Sequence, residues 1–137
     1  YIPFIERSLR SLTSKGQLGV ICADRWMKNR YGGPLRKLVA DEFHLTAYVD
    51  MVNTDAFHTE VTAYPAITVI SRERSAATKV AHRPPIERLA LRELADELRN
   101  ECGMSPRVRE VSGVVFGSEP WILESSDQLD LVRRRRS

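Results

Sequence analysis

The chain has 137 residues, which is enough for one modest domain or for a piece of a larger one. Hydrophobic residues make up 42% and charged residues 28%, a balance typical of globular proteins that argues against a wholly disordered chain. There are 21 Lys and Arg against 18 Asp and Glu, which gives a formal net charge of +3 and a pI near 9.1. This mild basicity permits binding to a polyanion but does not require it.

The sequence gives no support to membrane, metal or disulfide chemistry. No apolar run approaches the roughly 18 to 20 residues that span a bilayer, and the start lacks the pattern of a signal peptide. We therefore expect a cytoplasmic protein with no membrane partner. The 2 cysteines, Cys22 and Cys102, are too few for a disulfide scaffold and belong to no CxxC or Cys/His cluster. We expect no metal site.

The first predicted elements are a helix and a strand. Apolar residues recur at helical spacing near the start of the chain, and Lys15-Gly16 follows them as a stop signal; these residues are Ile2, Ile5, Leu9 and Leu12. The run LGVICA, from Leu18 to Ala23, is continuously apolar and predicts a strand that is buried on both faces. That strand ends abruptly at Asp24-Arg25.

The basic residues are concentrated directly after this strand. Five basic residues and no acidic one lie between positions 25 and 37: Arg25, Lys28, Arg30, Arg36 and Lys37. Between positions 86 and 101, by contrast, acids and bases alternate as on a solvated helix face. We expect any polyanion to contact the first stretch, although a solvated cluster of surface charges is an equal alternative.

The next segment predicts a helix and two further strands. Pro34 is well placed as the first residue of a helix whose buried stripe is Leu35, Leu38 and Val39. The runs at 45–52 (LTAYVDMV) and 66–71 (AITVIS) predict strands. Apolar strands that alternate with a helix predict an α/β sheet. Because the polar loop 53–64 has no helical pattern, we expect the last two strands to pair antiparallel, as a hairpin at the sheet edge.

The second half of the chain predicts a separate small unit. Residues 75–85 are small and polar and end in Pro84-Pro85, so we predict a linker between a domain at 1–74 and an extension at 86–137. The extension should contain a helix from Ile86 to Leu98, one or two short strands within 108–116, and a terminal helix over 127–136. The basic run 133–136 is either a solvated helix end or a tail that contacts phosphates.

Five segments in the first half of the chain carry a family resemblance: FIERSLRSL, KGQLGVICADRWMKN, YGGPLRKLV, DMVNTDAF and AYPAITVISRE. In this order they resemble the back half of the catalytic domain in N6-adenine DNA methyltransferases of restriction-modification systems. The nearest resemblance is to the type IIG group, in which a methylase and an endonuclease are often fused. The similarity covers about residues 1–73. The later GSEPWIL and LDLVRRR resemble the segment that leads towards the target-recognition domain.

The resemblance implies a Rossmann-like fold that depends on S-adenosylmethionine, with seven strands of which the last is antiparallel. On that template LGVICA resembles the fifth strand, LTAYVDMV the sixth and AITVIS the seventh. The fold class expected here is therefore α/β: the last three strands of a methyltransferase sheet, the final pair antiparallel, with a small α+β extension. The intact enzyme would transfer a methyl group from S-adenosylmethionine to the N6 amine of adenine in double-stranded DNA.

Two motifs of that family do not occur in these 137 residues. The F-x-G-x-G loop would bind the cofactor, and Asn-Pro-Pro-Tyr or Asp-Pro-Pro-Tyr would hold the amine of the flipped adenine; the one Pro-Pro pair here follows Arg83. We therefore interpret the chain as a fragment without catalytic or cofactor-binding residues, inactive alone and able to self-associate through an exposed sheet edge. The alternative is a non-catalytic α/β module that binds DNA or a protein partner.

The resemblance also suggests roles for particular residues. Phe57 occupies the place of the aromatic that stacks on the flipped adenine, although a core aromatic is an equal alternative. Three residues would lie next to the adenine pocket: Asp24, Trp26 and Tyr31. For Trp26 a core position is the more common role. Three cations are placed to contact DNA phosphates: Arg25, Lys28 and Arg30. Asp50 interrupts an apolar strand, so it must be hydrogen-bonded if it is buried, and a structural role is favoured.

Overall fold

The computed structural model describes residues 2–52, 54, 65–72, 77–99 and 107–123. Within these ranges there are three α-helices: α1 (Ile2–Arg10), α2 (Gly33–Glu42) and α3 (Arg88–Arg99). There are also five strands: β1 (Gln17–Ala23), β2 (His44–Asp50), β3 (Pro65–Ser71), β4 (Ala77–His82) and β5 (Arg109–Ser112). The helices and strands predicted for the described residues up to position 71 lie within a few residues of these bounds.

All five strands form one mixed sheet in the order β1-β3-β2-β4-β5. Strand β3 pairs antiparallel with both β1 and β2, so β1 and β2 run in the same direction. Strand β4 pairs parallel with β2, and β5 pairs antiparallel with β4. The predicted antiparallel pairing of 45–52 with 66–71 is confirmed. Its predicted place at the sheet edge is wrong, because β3 inserts between β1 and β2.

Helices pack on both faces of this sheet. On one face, α1 and α2 cover a large core that includes Ile5, Val39 and Ile70, each at most 1% exposed. On the other face, α3 covers a smaller cluster through Leu94, which packs with Val49 and Ala81. Adjacent residues of one strand therefore enter different cores, as Val80 and Ala81 do, because side chains alternate across a strand.

Strand β1 departs from the sequence prediction of burial on both faces. Its alternate residues Gln17, Gly19 and Ile21 are exposed, and the Ile21 side chain is 61% exposed. Leu18 and Cys22 pack against the larger core on the other face. The continuous apolar run conceals this asymmetry, because α3 packs over the middle of the sheet and β1 is its edge strand within the described part of the chain.

The segment 75–85 is not a plain linker, since residues 77–82 form β4 beside the central strand β2. Two of its polar side chains are bonded to neighbouring elements. Thr78 donates from Oγ1 to the carbonyl of Leu45 at 2.8 Å, and Lys79 donates from Nζ to the carbonyl of Leu98 at 3.0 Å. The division of the chain into domains at 1–74 and 86–137 stays a prediction, although β4 and β5 extend the same sheet.

Several sequence predictions fall outside the described residues. These are the roles of Phe57 and of the loop around it, Cys102, the terminal helix over 127–136, and the basic run at 133–136. In the extension, α3 confirms the predicted helix, and β5 supplies a single strand that ends before Gly113, a glycine with a φ of 70°. The described part of the chain contains no helix long and apolar enough to cross a membrane.

A compact turn joins β1 to α2. Two short 3₁₀ segments, Arg25–Met27 and Arg30–Gly32, fold the backbone back so that Gly32 lies against the main chain of Trp26. A Cβ atom at Gly32 would stand 1.8 Å from the Trp26 carbonyl oxygen. A glycine is required here by the close approach of two backbones.

We expect Gly32→Ala to destabilise the protein by at least about 2 kcal/mol, because the turn must open to admit the methyl group. Gly19→Ala in β1 is the matched control, since an added Cβ there meets nothing within 4 Å. The control should be neutral or slightly stabilising, because alanine loses less backbone entropy than glycine on folding. Urea unfolding of both variants measures the difference. Equal stabilities would contradict the close approach.

Candidate functional site

Three parallel strands end at the same edge of the sheet. Strands β1, β2 and β4 run in one direction, and their last residues are Ala23, Asp50 and His82. Ligands of open α/β sheets bind outside the carboxyl ends of the strands, where the following loops meet. The residues that follow these three strands are therefore the first place to look for function, and they include most of the predicted site.

The turn after β1 presents the predicted cations. Arg25, Lys28 and Arg30 are all exposed. Beside them is an open cleft of about 330 Å³, lined among the described residues by Asp24, Arg25, Lys28 and Asn29. Tyr31, on the second 3₁₀ segment, is 53% exposed. The predicted pocket-adjacent residues and predicted DNA-contacting residues thus occupy one continuous turn of the chain.

Asp24 lies at the base of this cleft and is held by a tyrosine from β2. The Tyr48 hydroxyl donates a hydrogen bond of 2.8 Å to Asp24 Oδ2, and both residues are buried. Lys28 Nζ stands 3.7 Å from the same oxygen. Sequence reasoning missed Tyr48, because a tyrosine in an apolar strand looks like an ordinary core residue. Its polar tip stabilises a buried carboxylate that would otherwise be costly to desolvate.

Arg36 does not belong to the exposed basic cluster that the sequence predicts. Its guanidinium is buried, and Nη1 donates to the carbonyls of Trp26 and Asn29 at 2.6 Å each. Its Nε donates to the carbonyl of Ser118 at 3.0 Å. Burial lowers the pKa of Arg36 below its ordinary value, and the nearby charge of Glu119 opposes that effect. Arg36 therefore ties the turn to the C-terminal segment instead of facing a ligand.

Lys37 is also engaged, through a 2.7 Å ion pair with Asp41 one helical turn away. Of the five basic residues at 25–37, the three on the turn are the candidates for a polyanion contact, although one of them, Lys28, also lies 3.7 Å from Asp24 Oδ2. The number of basic residues can be read from the sequence, but which of their side chains are buried or paired cannot.

Trp26 takes the core position that was the more common alternative. It is fully buried, and its ring meets that of Trp121 edge to face with 5.0 Å between centroids. The Trp121 backbone N–H donates to the carbonyl of Met27 at 2.9 Å. The C-terminal segment that contains Trp121 therefore packs directly beneath the turn that carries the cations.

At the other end of the edge, Asp50 organises the last residues of β2 and β4. Its Oδ1 accepts a 2.9 Å hydrogen bond from the backbone N–H of Val52, and its Oδ2 lies 3.4 Å from His82 Nδ1 and 3.7 Å from Arg83 Nε. Burial alone would raise the pKa of Asp50. The hydrogen bonds from His82 and Val52 and the charges of His82 and Arg83 together outweigh burial and hold that pKa below its ordinary 3.8.

The expected structural role of Asp50 is thus supported by its contacts. The structure brings Asp24, Trp26 and Tyr31 together with the three cations on one turn, and it adds Tyr48, His82 and Arg83 to the same edge. Within the described part of the chain, no cluster of three or more metal-ligating side chains is present.

Comparisons with known proteins show what the chain is similar to. Residues 1–57 match the family model described as Eco57I restriction-modification methylase. Over 98% of its length the chain is 61% identical to the type II methyltransferase M.PaeR7I of Pseudomonas aeruginosa, and 51% identical to M.XhoI of Xanthomonas vasicola. The aligned regions make up 24% and 26% of those proteins.

The chain is homologous to a part of the restriction-modification methyltransferases. It spans about a quarter of the length of these curated relatives. The fold agrees: a chain from a type I restriction-modification system superposes with a TM-score of 0.70 at 14% identity, over 98% of this chain and 36% of that one. The predicted partial Rossmann-like methyltransferase fold is confirmed, with β2 and β3 paired antiparallel as expected.

The lowered pKa of Asp50 makes its contribution to the stability of this protein depend on pH. A carboxyl whose pKa falls on folding stabilises the protein above its unfolded value of 3.8, and this contribution is lost as the pH falls through the lower folded value. We expect Asp50→Asn to reduce the free energy of unfolding at pH 7 by about 0.5 to 1 kcal/mol, since its charged partners are partly exposed.

Urea unfolding of the wild type and Asp50→Asn between pH 7 and pH 2.5 measures this difference. The two proteins should converge in stability at the acid end. Asp96→Asn, on the exposed side of α3, is the control and should change stability little across the range. A difference for Asp50→Asn that is constant over the whole pH range would contradict the role of its charge.

Proposed function

We propose that the chain is the C-terminal part of the catalytic domain of a DNA adenine methyltransferase in a restriction-modification system. The intact protein transfers a methyl group from S-adenosylmethionine to the N6 amine of adenine. The observation that carries this proposal is the location of the cation-bearing turn at the carboxyl edge of the sheet, in a chain 61% identical to a type II methyltransferase. The likeness to restriction-modification proteins supports double-stranded DNA as the partner.

The residues present do not fit a cofactor site for S-adenosylmethionine. The 137 residues contain neither the glycine loop nor the Asn-Pro-Pro-Tyr type of motif. The edge of the sheet carries instead a turn of exposed arginines and a buried Asp24–Tyr48 pair. We assign no step of cofactor binding or methyl transfer to this chain, and we propose that it contributes DNA contacts and the support of the target base.

The DNA contacts are proposed to come from Arg25, Lys28 and Arg30. Phosphate contacts from such cations dominate affinity and position the protein without reading sequence. The turn is well suited to this role because Gly32 and Arg36 fix its backbone, so that a phosphate contact does not have to order it. A phosphate bound to a rigid turn loses less of its binding energy to entropy than one bound to a flexible loop.

We expect the replacement of Arg25, Lys28 and Arg30 by glutamine in the intact methyltransferase to weaken binding to all duplex sequences alike. Each lost phosphate contact should reduce the slope of log affinity against log salt by about 0.9, so the triple variant should lose roughly 2 to 3. Fluorescence anisotropy with a labelled duplex, between about 50 and 200 mM salt, measures the slope.

The matched control replaces three exposed arginines on α3, Arg88, Arg92 and Arg99, by glutamine, which removes the same charge elsewhere. The control should keep the wild-type slope. If both triple variants lose the same slope, the effect is one of net charge and the turn is a solvated surface cluster. If neither changes it, the turn does not contact DNA.

Phe57 lies outside the described residues, and its role stays a proposal. We propose that it stacks on the adenine once that base has left the duplex. Stacking of a base on an aromatic ring contributes about 1 to 3 kcal/mol, so Phe57→Ala should lower kcat/KM of the intact enzyme by about fivefold to a hundredfold. Phe57→Trp should retain much of the activity, because it keeps a π face.

Transfer of a radiolabelled methyl group from S-adenosylmethionine to duplex DNA, with detection of N6-methyladenine, measures both variants and tests the proposed reaction. The melting temperature must be measured with it, since truncating a buried phenylalanine costs about 3 to 5 kcal/mol of stability. A large fall in melting temperature with normal activity per folded molecule would assign Phe57 to the core. The absence of N6-methyladenine from the wild-type product would refute the reaction itself.

A further inference from the structure

Arg83 has a backbone conformation that is unfavourable for an arginine. Its φ is 46°, and it is the one residue other than glycine with a positive φ in the described part of the chain. The left-handed region is sterically unfavourable for a residue with a Cβ, and glycine or asparagine would adopt it more easily. The conformation is held from both sides. The backbone N–H of Arg83 donates to the carbonyl of Asp50 at 2.7 Å, and Pro84, which follows, is buried.

The contacts that the Arg83 side chain makes within the fold contribute little to stability. The side chain is 59% exposed, and its ion-pair contact is the 3.7 Å approach of Nε to Asp50 Oδ2. Exposed pairs of this kind contribute little to stability. Strained backbone clusters at functional sites, so an exposed arginine at such a position favours contact with an external ligand.

The location of Arg83 identifies the chemistry of that ligand. Asp50 pairs with His82 across the parallel β2–β4 register, so Arg83 is the first residue beyond the carboxyl edge. The turn that carries Arg25 and Lys28 lies beyond the same edge, at the end of β1. Three strand spacings of about 4.8 Å separate β1 from β4, which places the two groups on the order of 14 Å apart. Successive base pairs rise about 3.4 Å, so this span corresponds to about four base pairs of duplex.

We propose that Arg83 is a second phosphate contact, which binds the DNA backbone at the opposite end of the sheet edge from the turn at 25–30. Asp50 is the positioning residue: its carbonyl fixes the backbone of Arg83, and its carboxylate orients the guanidinium and the ring of His82. The proposal rests on the proposed DNA-binding function and adds a residue from β4, outside the basic stretch. Two cationic groups separated in this way would fix the direction of the duplex along the edge, where a single turn would leave it free to pivot.

Arg83→Asn in the intact methyltransferase tests this inference. Asparagine tolerates the left-handed conformation, so the variant removes the charge without adding backbone strain. We expect the melting temperature to be unchanged or higher. The slope of log affinity against log salt, measured on a duplex of arbitrary sequence, should fall by about 0.9. Arg92→Gln on α3, an exposed arginine in an ordinary helix, is the control and should keep the wild-type slope.

Arg83→Gly provides a second variant with the same expectation, since glycine removes the strain altogether. The inference is overturned if either Arg83 variant keeps the wild-type salt slope, or if the variants lower the melting temperature while DNA affinity per folded molecule is unchanged. Comparison with the triple variant of the turn separates the two proposals. If the turn variant loses slope and the Arg83 variants do not, only the role of Arg83 fails. If the wild type binds duplex DNA without any salt dependence, the proposed function fails first.

Discussion

The candidate site depends on one buried cation, the guanidinium of Arg36. Burial of an unpaired charge costs several kcal/mol, and here three backbone carbonyls, from Trp26, Asn29 and Ser118, accept its hydrogen bonds in place of a carboxylate. These carbonyls belong to two segments that are far apart in sequence. Arg36 therefore links the turn between β1 and α2, and the exposed cations on that turn, to the segment around residue 118.

The insertion of β3 between β1 and β2 gives the edge of the sheet its composition. Because β3 runs against both neighbours, β1 and β2 run in the same direction and their carboxyl ends face the same side, two strand spacings apart. Tyr48 bridges this gap, with its hydroxyl on Asp24 and its ring edge to face with His82 at a centroid distance of 6.5 Å. Residues from β1, β2 and β4 are in this way connected into one row, although they come from three separate stretches of sequence.

Sequence periodicity predicts elements well and tertiary roles poorly. The spacing of Ile2, Ile5 and Leu9 is enough to predict α1, because an amphipathic helix buries one stripe whatever it packs against.

The segment ATKVAH looks like a linker in the sequence, because its polar residues suit a loop equally well. It becomes β4 only beside β2, where Thr78 and Lys79 find acceptors in Leu45 and Leu98. Neither the burial of Arg36 nor the backbone strain at Arg83 can be recognised in the periodicity of the sequence, since both arise from groups distant in sequence.

The exposed charge at this edge of the sheet differs from the formal charge of the residues that form it. Two carboxylates, Asp24 and Asp50, lie at this edge, and their side chains are only 6% and 15% exposed. Each accepts a hydrogen bond from within the fold, from Tyr48 and from the backbone of Val52. The same carboxylates lie 3.7 Å from two cations of the edge, Lys28 and Arg83, whereas the side chains of Arg25 and Arg30 are exposed. The carboxylates at this edge are therefore mostly buried and the basic side chains are exposed, so a polyanion that approaches the edge meets cations first.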